Sequence, residues 1–120
     1  MREFQAGIHR QAAIARLRRQ LVEALKAHLA GLKPSPPLAG VPLWQVFGAV
    51  SARRSWGPNG PDPIRPTELR AWADQHRVHL PPHHAAIIEA MDDAWLADAR
   101  AAGDGVAGPL TGAAFDAMFG

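Results

Sequence analysis

The sequence predicts an all-α protein, a small bundle of about four helices with a long N-terminal helix and a short amphipathic C-terminal tail. Three observations predict it. Apolar residues recur three and four apart over long stretches, prolines stand where helices would begin, and no segment alternates in the manner of a half-buried strand. At 120 residues with 48% apolar and 20% charged side chains, the chain suits one globular core and is too short for two.

The first element runs from Phe4 to Ala30. Phe4, Ile8, Ala12, Ile14, Leu17, Leu21, Val22, Leu25 and Leu29 carry its apolar stripe, and Ala, Arg, Gln, Glu and Lys fill the rest. Gly31, Leu32 and Pro34 read as a left-handed cap, its hydrophobic contact and a stop. At 1.5 Å per residue this helix is roughly 40 Å long. A compact chain of this size has a radius of gyration near ~14 Å. The helix therefore has to project beyond the body or lie against another molecule.

Pro34 to Pro42 holds four prolines and reads as a stiff linker. Leu43, Trp44, Val46, Phe47 and Val50 then mark a short helix. Gly57 to Pro63 is a turn-rich loop. Pro66 opens a helix to about Arg77 with Leu69, Trp72, Ala73 and His76 on one face. Pro82 opens another to about Ala102, with Ile87, Ile88, Met91, Ala94 and Trp95 inward and Glu89, Asp92, Asp93 and Asp98 left for solvent. The chain thus divides into a basic amphipathic helix (1–33), a compact helical domain (34–102), and a flexible linker with C-terminal peptide (103–120). In that last peptide Phe115, Met118 and Phe119 fall at i, i+3 and i+4.

Composition excludes several chemistries. With no cysteine there is no disulfide, thiolate metal site or cysteine nucleophile, which fits a reducing cytoplasm. Neither a signal peptide nor a run of about 18 apolar residues is visible, so a cytoplasmic location is expected. Net charge is +2, distributed as +5 over residues 1–33 and −3 over the remainder.

Catalytic and cofactor signatures are missing. His76, His79, His83 and His84 cluster, and His79 and His83 have the i, i+4 spacing of zinc ligands. Pro81 and Pro82 interrupt any helix between them, so a polar turn with a half-buried His76 is the simpler reading. Asp92 and Asp93 are adjacent and diverge by about 100° on a helix, which suits a solvated face better than acid–base work. Neither a G-x-S-x-G nucleophile nor a phosphate-binding glycine loop occurs. The chain is expected to be no enzyme and to need no cofactor or metal.

Two kinds of binding remain. Arg10, Arg16, Arg18, Arg19 and Lys26 could neutralise nucleic-acid phosphates. No aromatic stacking residue is interleaved with them, and no recognition helix follows, so a basic, solvated face, or one meeting an acidic protein, is the stronger reading. Trp44, Phe47, Leu69, Trp72, Ile87, Met91 and Trp95 are assigned to the core. Trp56, beside two arginines and a Gly-Pro loop, is assigned to the surface.

From about Arg54 to Leu96 the chain resembles a family of tailed-phage proteins, the tail assembly chaperones. The resemblance lies in Gly57-Pro58-Asn59-Gly60-Pro61-Asp62-Pro63-Ile64, in Thr67-Glu68-Leu69-Arg70-Ala71-Trp72-Ala73, and in Ile87-Ile88-Glu89-Ala90-Met91-Asp92-Asp93-Ala94-Trp95-Leu96. The ending Phe115-Asp116-Ala117-Met118-Phe119-Gly120 is similar too. Where the family has a Ser/Thr-Pro-Trp-Glu-like helix start, this chain has Pro81-Pro82-His83-His84, without the capping side chain and the aromatic.

The resemblance implies binding to a tape-measure or tail-tube protein during tail morphogenesis in the host bacterial cytoplasm. Leu17, Leu21 and Leu25, with Trp56, Phe115, Met118 and Phe119, are the residues expected to meet that partner, helix in groove. The C-terminal peptide has a second reading, level with the first, in which it fills a groove on its own domain. The alternative function is that of a small DNA-associated regulatory protein using the basic helix. A homo-oligomer through that helix is a further option, although Gly7 and His28 fall near the seam.

Overall fold

The computed structural model describes the backbone of residues 2–102 and the side chains of residues 7–102. Four α-helices and one minimal hairpin make up the described chain, so the fold is all-α in substance.

Helix α1 (Arg2–Leu29) is 28 residues long. Lys26 in its last turn complements the negative end of the helix dipole. It closes as the sequence predicts, with Gly31 at φ 83°. The Gly31 N–H donates to the His28 carbonyl at 3.0 Å and the Leu32 N–H to the Ala27 carbonyl at 2.9 Å. Leu32 differs from expectation. It is 64% exposed, so the cap holds by backbone geometry without a buried hydrophobic contact.

The proline-rich segment is shorter than predicted. A single 3₁₀ turn, Leu38–Gly40, leads into helix α2 (Val41–Ser51), and Pro42 stands in that helix's first turn, where its missing N–H costs nothing. Leu43, Trp44, Val46, Phe47, Gly48, Val50 and Ser51 are all buried, which makes α2 apolar nearly all round and places it in the middle of the bundle.

Residues Trp56–Gly57 (β1) and Gly60–Pro61 (β2) pair antiparallel, Trp56 opposite Pro61 and Gly57 opposite Gly60. Gly60 at φ 112° takes a conformation closed to most side chains. The Asp62 N–H closes the base of this hairpin on the Ser55 carbonyl at 3.0 Å. The predicted loop is therefore a small ordered hairpin.

Helix α3 (Pro66–Gln75) buries Leu69 and Ala73 and ends two residues earlier than the sequence suggested. Arg77 closes it at φ 55°, and the Val78 N–H donates back to the Ala73 carbonyl at 2.8 Å. Helix α4 (Pro82–Ala101) starts directly on Pro82 and buries Ile87, Ile88, Met91, Asp92, Trp95 and Leu96, which share one stripe at three- and four-residue spacing.

One core joins these elements. Leu21, Ala24 and Leu25 of α1 pack in the same cluster as Trp44, Phe47, Ile87, Met91 and Trp95. Helix α1 packs chiefly on α4, and α2 packs on α4 as well. The boundary at residue 33 thus separates chain segments, while the core is shared across it. Gly40 is the point of closest approach to α1: a Cβ there would lie 2.8 Å from Leu21 Cδ2 and 3.1 Å from Leu17 Cδ1. Only a glycine lets the 3₁₀ turn sit so close to the helix.

Candidate partner-binding surfaces

Three features of the surface bear on binding: the outer stretch of α1, a groove between α3 and α4, and a buried charge site beneath the hairpin.

From Ile8 to Ala13 every side chain of α1 is exposed, and from Ile14 to Gln20 only Ile14 and Leu17 are half-buried. Ile8 is 49% exposed. Arg10, Arg16, Arg18 and Arg19 all face solvent here. Leu17 is the inner limit of this stretch. Leu21 and Leu25, expected at the partner surface, are instead 0% exposed in the chain's own core. The reason is periodicity: the α1 stripe continues unbroken into the core, and its inner end is already covered by the 3₁₀ turn and α4.

The groove between α3 and α4 has a volume of about 530 Å³. Leu69 and Ala73 line it from α3, Val78 and Leu80 from the connection, and Ala85 and Ile88 from α4, with Arg70 on the rim. It is open and mostly apolar. The Pro81-Pro82 pair makes it possible by starting α4 abruptly, so the connection forms a wall instead of another helical turn.

Beneath the hairpin, Arg54 and Asp92 form an ion pair with side chains only 2% and 5% exposed. Arg54 also donates to the Ser51 hydroxyl at 3.0 Å and to the Asp62 carbonyl at 2.8 Å, and its guanidinium lies 3.9 Å from the centre of the Trp95 ring. The other oxygen of Asp92 accepts the Ile64 N–H at 2.9 Å. The Arg54 Nε has no hydrogen-bond partner. The sequence leaves Asp92 for solvent; the structure instead buries it against Arg54. A carboxylate four residues from Ile88 and three from Trp95 belongs to the apolar stripe. That position was the signal in the sequence, and it was masked by the neighbouring Glu89 and Asp93, which are exposed.

The aromatic residues divide as follows. Trp44, Phe47, Leu69, Ile87, Met91 and Trp95 are buried, and Trp72 is half-buried against the core. Trp56 is 37% exposed and rests edge-on against Trp95 with ring centres 6.4 Å apart. His76 is exposed, not half-buried: it stacks on Trp72 at 4.4 Å and its Nδ1 lies 2.9 Å from the Trp72 carbonyl oxygen. Phe115, Met118 and Phe119 lie outside the described residues.

The histidines assemble no metal centre among the described residues. His83 and His84 touch at 4.4 Å, and burial, then the charges of His83 and His79, lower the pKa of His84. His28, edge-on to Trp44 at 6.4 Å, is lowered by burial. Among the described residues no helix is long and apolar enough to cross a membrane.

No curated protein matches the chain, and no solved structure does. A family model does match, the phage tail assembly chaperone model, over residues 17–97. That span opens at Leu17 and closes one residue after Leu96, so it contains every buried core residue together with Arg54 and Asp92. Covering more than half of the 120 residues, the match shows that the chain belongs to the phage tail assembly chaperone family.

Proposed function

We propose that this chain covers an apolar helical segment of a tape-measure or tail-tube protein while the tail is assembled in the host bacterial cytoplasm. A tape-measure protein is long and largely helical, and it exposes apolar surface until the tube closes around it. The observation that carries the reading is the outer stretch of α1, where Ile8 is 49% exposed, a turn and a half before Ile14 first meets the core. Ile8 continues outward the apolar line of Ile14 and Leu17, which are half-buried against the core, and the exposed arginines flank it, which suits a helix-on-helix contact with an acidic-sided partner. Trp56, at the exposed edge of the core, is a second point of contact. The role is that of a binding protein, without a chemical step.

The test is co-expression with the tape-measure protein of the same phage, followed by affinity capture. Ile8→Asp sits on an exposed helix face and leaves the fold alone. It is expected to reduce capture at least tenfold, a loss that corresponds to about 1.4 kcal/mol. Capture unchanged by Ile8→Asp removes the outer stretch of α1 from the model.

Exposure of Arg10, Arg16, Arg18 and Arg19 together supports a second reading, a DNA-associated regulatory protein. It requires steeply salt-dependent binding to duplex DNA that is lost when Arg16, Arg18 and Arg19 become Gln. Absence of any mobility shift at low salt rejects it. Self-association through α1 would show as a concentration-dependent mass that Ile8→Asp abolishes.

A further inference from the structure

We propose that the groove between α3 and α4 is the docking site of this chain's own C-terminal peptide, with Phe115, Met118 and Phe119 seated on its apolar floor. The inference is independent of which tail protein is bound.

The groove supplies the first half of the match. Its floor is apolar, from Leu69, Ala73, Ala85 and Ile88, and its volume of about 530 Å³ is of the size that takes a few large side chains. Arg70 is exposed in its lining, where Asp74, Glu89 and the Arg54-paired Asp92 also stand, and it makes no ion pair among the described residues.

The peptide supplies the second half. At 100° per residue, Phe115, Met118 and Phe119 share one helical face, Asp116 falls on the flank of that face, and Ala117 falls opposite. Three apolar side chains answer the apolar floor, and the one carboxylate on their flank can meet Arg70. Between Ala102 and Phe115 the sequence has Gly103, Gly105, Gly108 and Gly112 and no aromatic residue.

Reach is sufficient. Helix α4 contributes its first half to the groove, from Pro82 to Asp92, and ends at Ala101. The peptide must therefore return along α4 by roughly 14–29 Å at 1.5 Å per residue. Residues 103–114 span at most about 40 Å extended, and as a flexible chain about 20 Å on average. The average and the required distance coincide, so docking within one molecule is favoured by effective concentration over capture of a second copy.

The chain has no cysteine, so a single Ala117→Cys takes one nitroxide label on the full-length protein, on the face away from the groove. Methyl resonances of Ile64, Leu69 and Ile88 are then read against that of Ile8. Docking predicts several-fold loss of intensity at the three groove residues, independent of concentration, with Ile8 unaffected. Ala86→Glu, on an exposed groove wall, should restore the signals, as should Arg70→Glu, and Asp116→Arg should rescue the latter. Unbroadened groove methyls overturn the proposal. So does broadening seen when the nitroxide is carried only by isotopically unlabelled copies, since the occupant is then a second molecule. Broadening that persists in Ala86→Glu also overturns it, since the peptide would then lie elsewhere.

Discussion

Replacing Asp92 by alanine tests the account of the packed unit most directly. Arg54 keeps its place in the core because Asp92 compensates its charge, with Ser51, the Asp62 carbonyl and Trp95 completing its surroundings. Its side chain is 2% exposed, so without Asp92 a guanidinium is left buried beside neutral groups. Removing one partner of a buried pair costs about 3–5 kcal/mol. The Ile64 N–H loses its acceptor in the same change, which lies within that range because the two losses share one carboxylate. For a domain of this size such a loss lowers the melting temperature by roughly 12–25 °C. The assay is urea unfolding followed by tryptophan emission, since Trp95 touches the pair. The double variant Arg54→Met/Asp92→Leu removes both charges and should recover at least half of the loss. A cost below ~1 kcal/mol for Asp92→Ala, or a double variant less stable than Asp92→Ala, would mean that Asp92 does not hold Arg54 in the core.

Gly40→Ala should destabilise the fold by about 1–3 kcal/mol in chemical denaturation, because the added methyl meets Leu21, which is fully buried and cannot move aside. Arg77→Gly should stabilise it by about 0.5–1 kcal/mol in the same assay, since a residue with a side chain at φ 55° becomes one that adopts it freely. His28 and His84 both have pKa values lowered from an ordinary 6.5 in the folded chain. The unfolded chain therefore binds more protons just below that pH. Stability should be level above about pH 7 and fall as pH drops through 6.5 toward the folded pKa values. Unfolding midpoints compared between the wild type and His28→Gln/His84→Gln over this range should show a flatter profile for the variant.

What the sequence made legible was whatever one side chain's neighbours along the chain determine. The four helices, the Gly31 cap and the proline starts of α3 and α4 are local events, each set by periodicity or by the backbone limits of Gly and Pro. The hairpin was read as loop because its two-residue strands are too short to alternate, and they are held by contacts with Arg54 and Trp95 from elsewhere. The Arg54–Asp92 pair spans 38 positions, so no window along the chain contains both partners. Leu21 and Leu25 show the same limit from the other side. Periodicity identified their face of α1, but the point at which that face passes from covered to exposed is fixed by where the 3₁₀ turn and α4 happen to pack.

That transition on α1 has a consequence for separating folding from binding. The region matched by the family model begins at residue 17, one turn inside the first α1 contact with the core at Ile14, and Ile8 lies beyond both, so the packed unit and the exposed outer stretch can be perturbed independently. A substitution at Leu21 or Leu25 removes core contacts and lowers capture of any partner through unfolding, however that partner binds. Ile8→Asp removes no core contact, since the side chain meets solvent. Capture lost in Ile8→Asp with an unchanged urea midpoint therefore assigns binding to the outer helix. Capture kept in Ile8→Asp and lost in Trp56→Ala, at a midpoint only slightly reduced, moves the contact to the hairpin edge instead. Trp56 is a sound second choice because its ring is shared between Trp95 and solvent, so its removal leaves the buried pair in place.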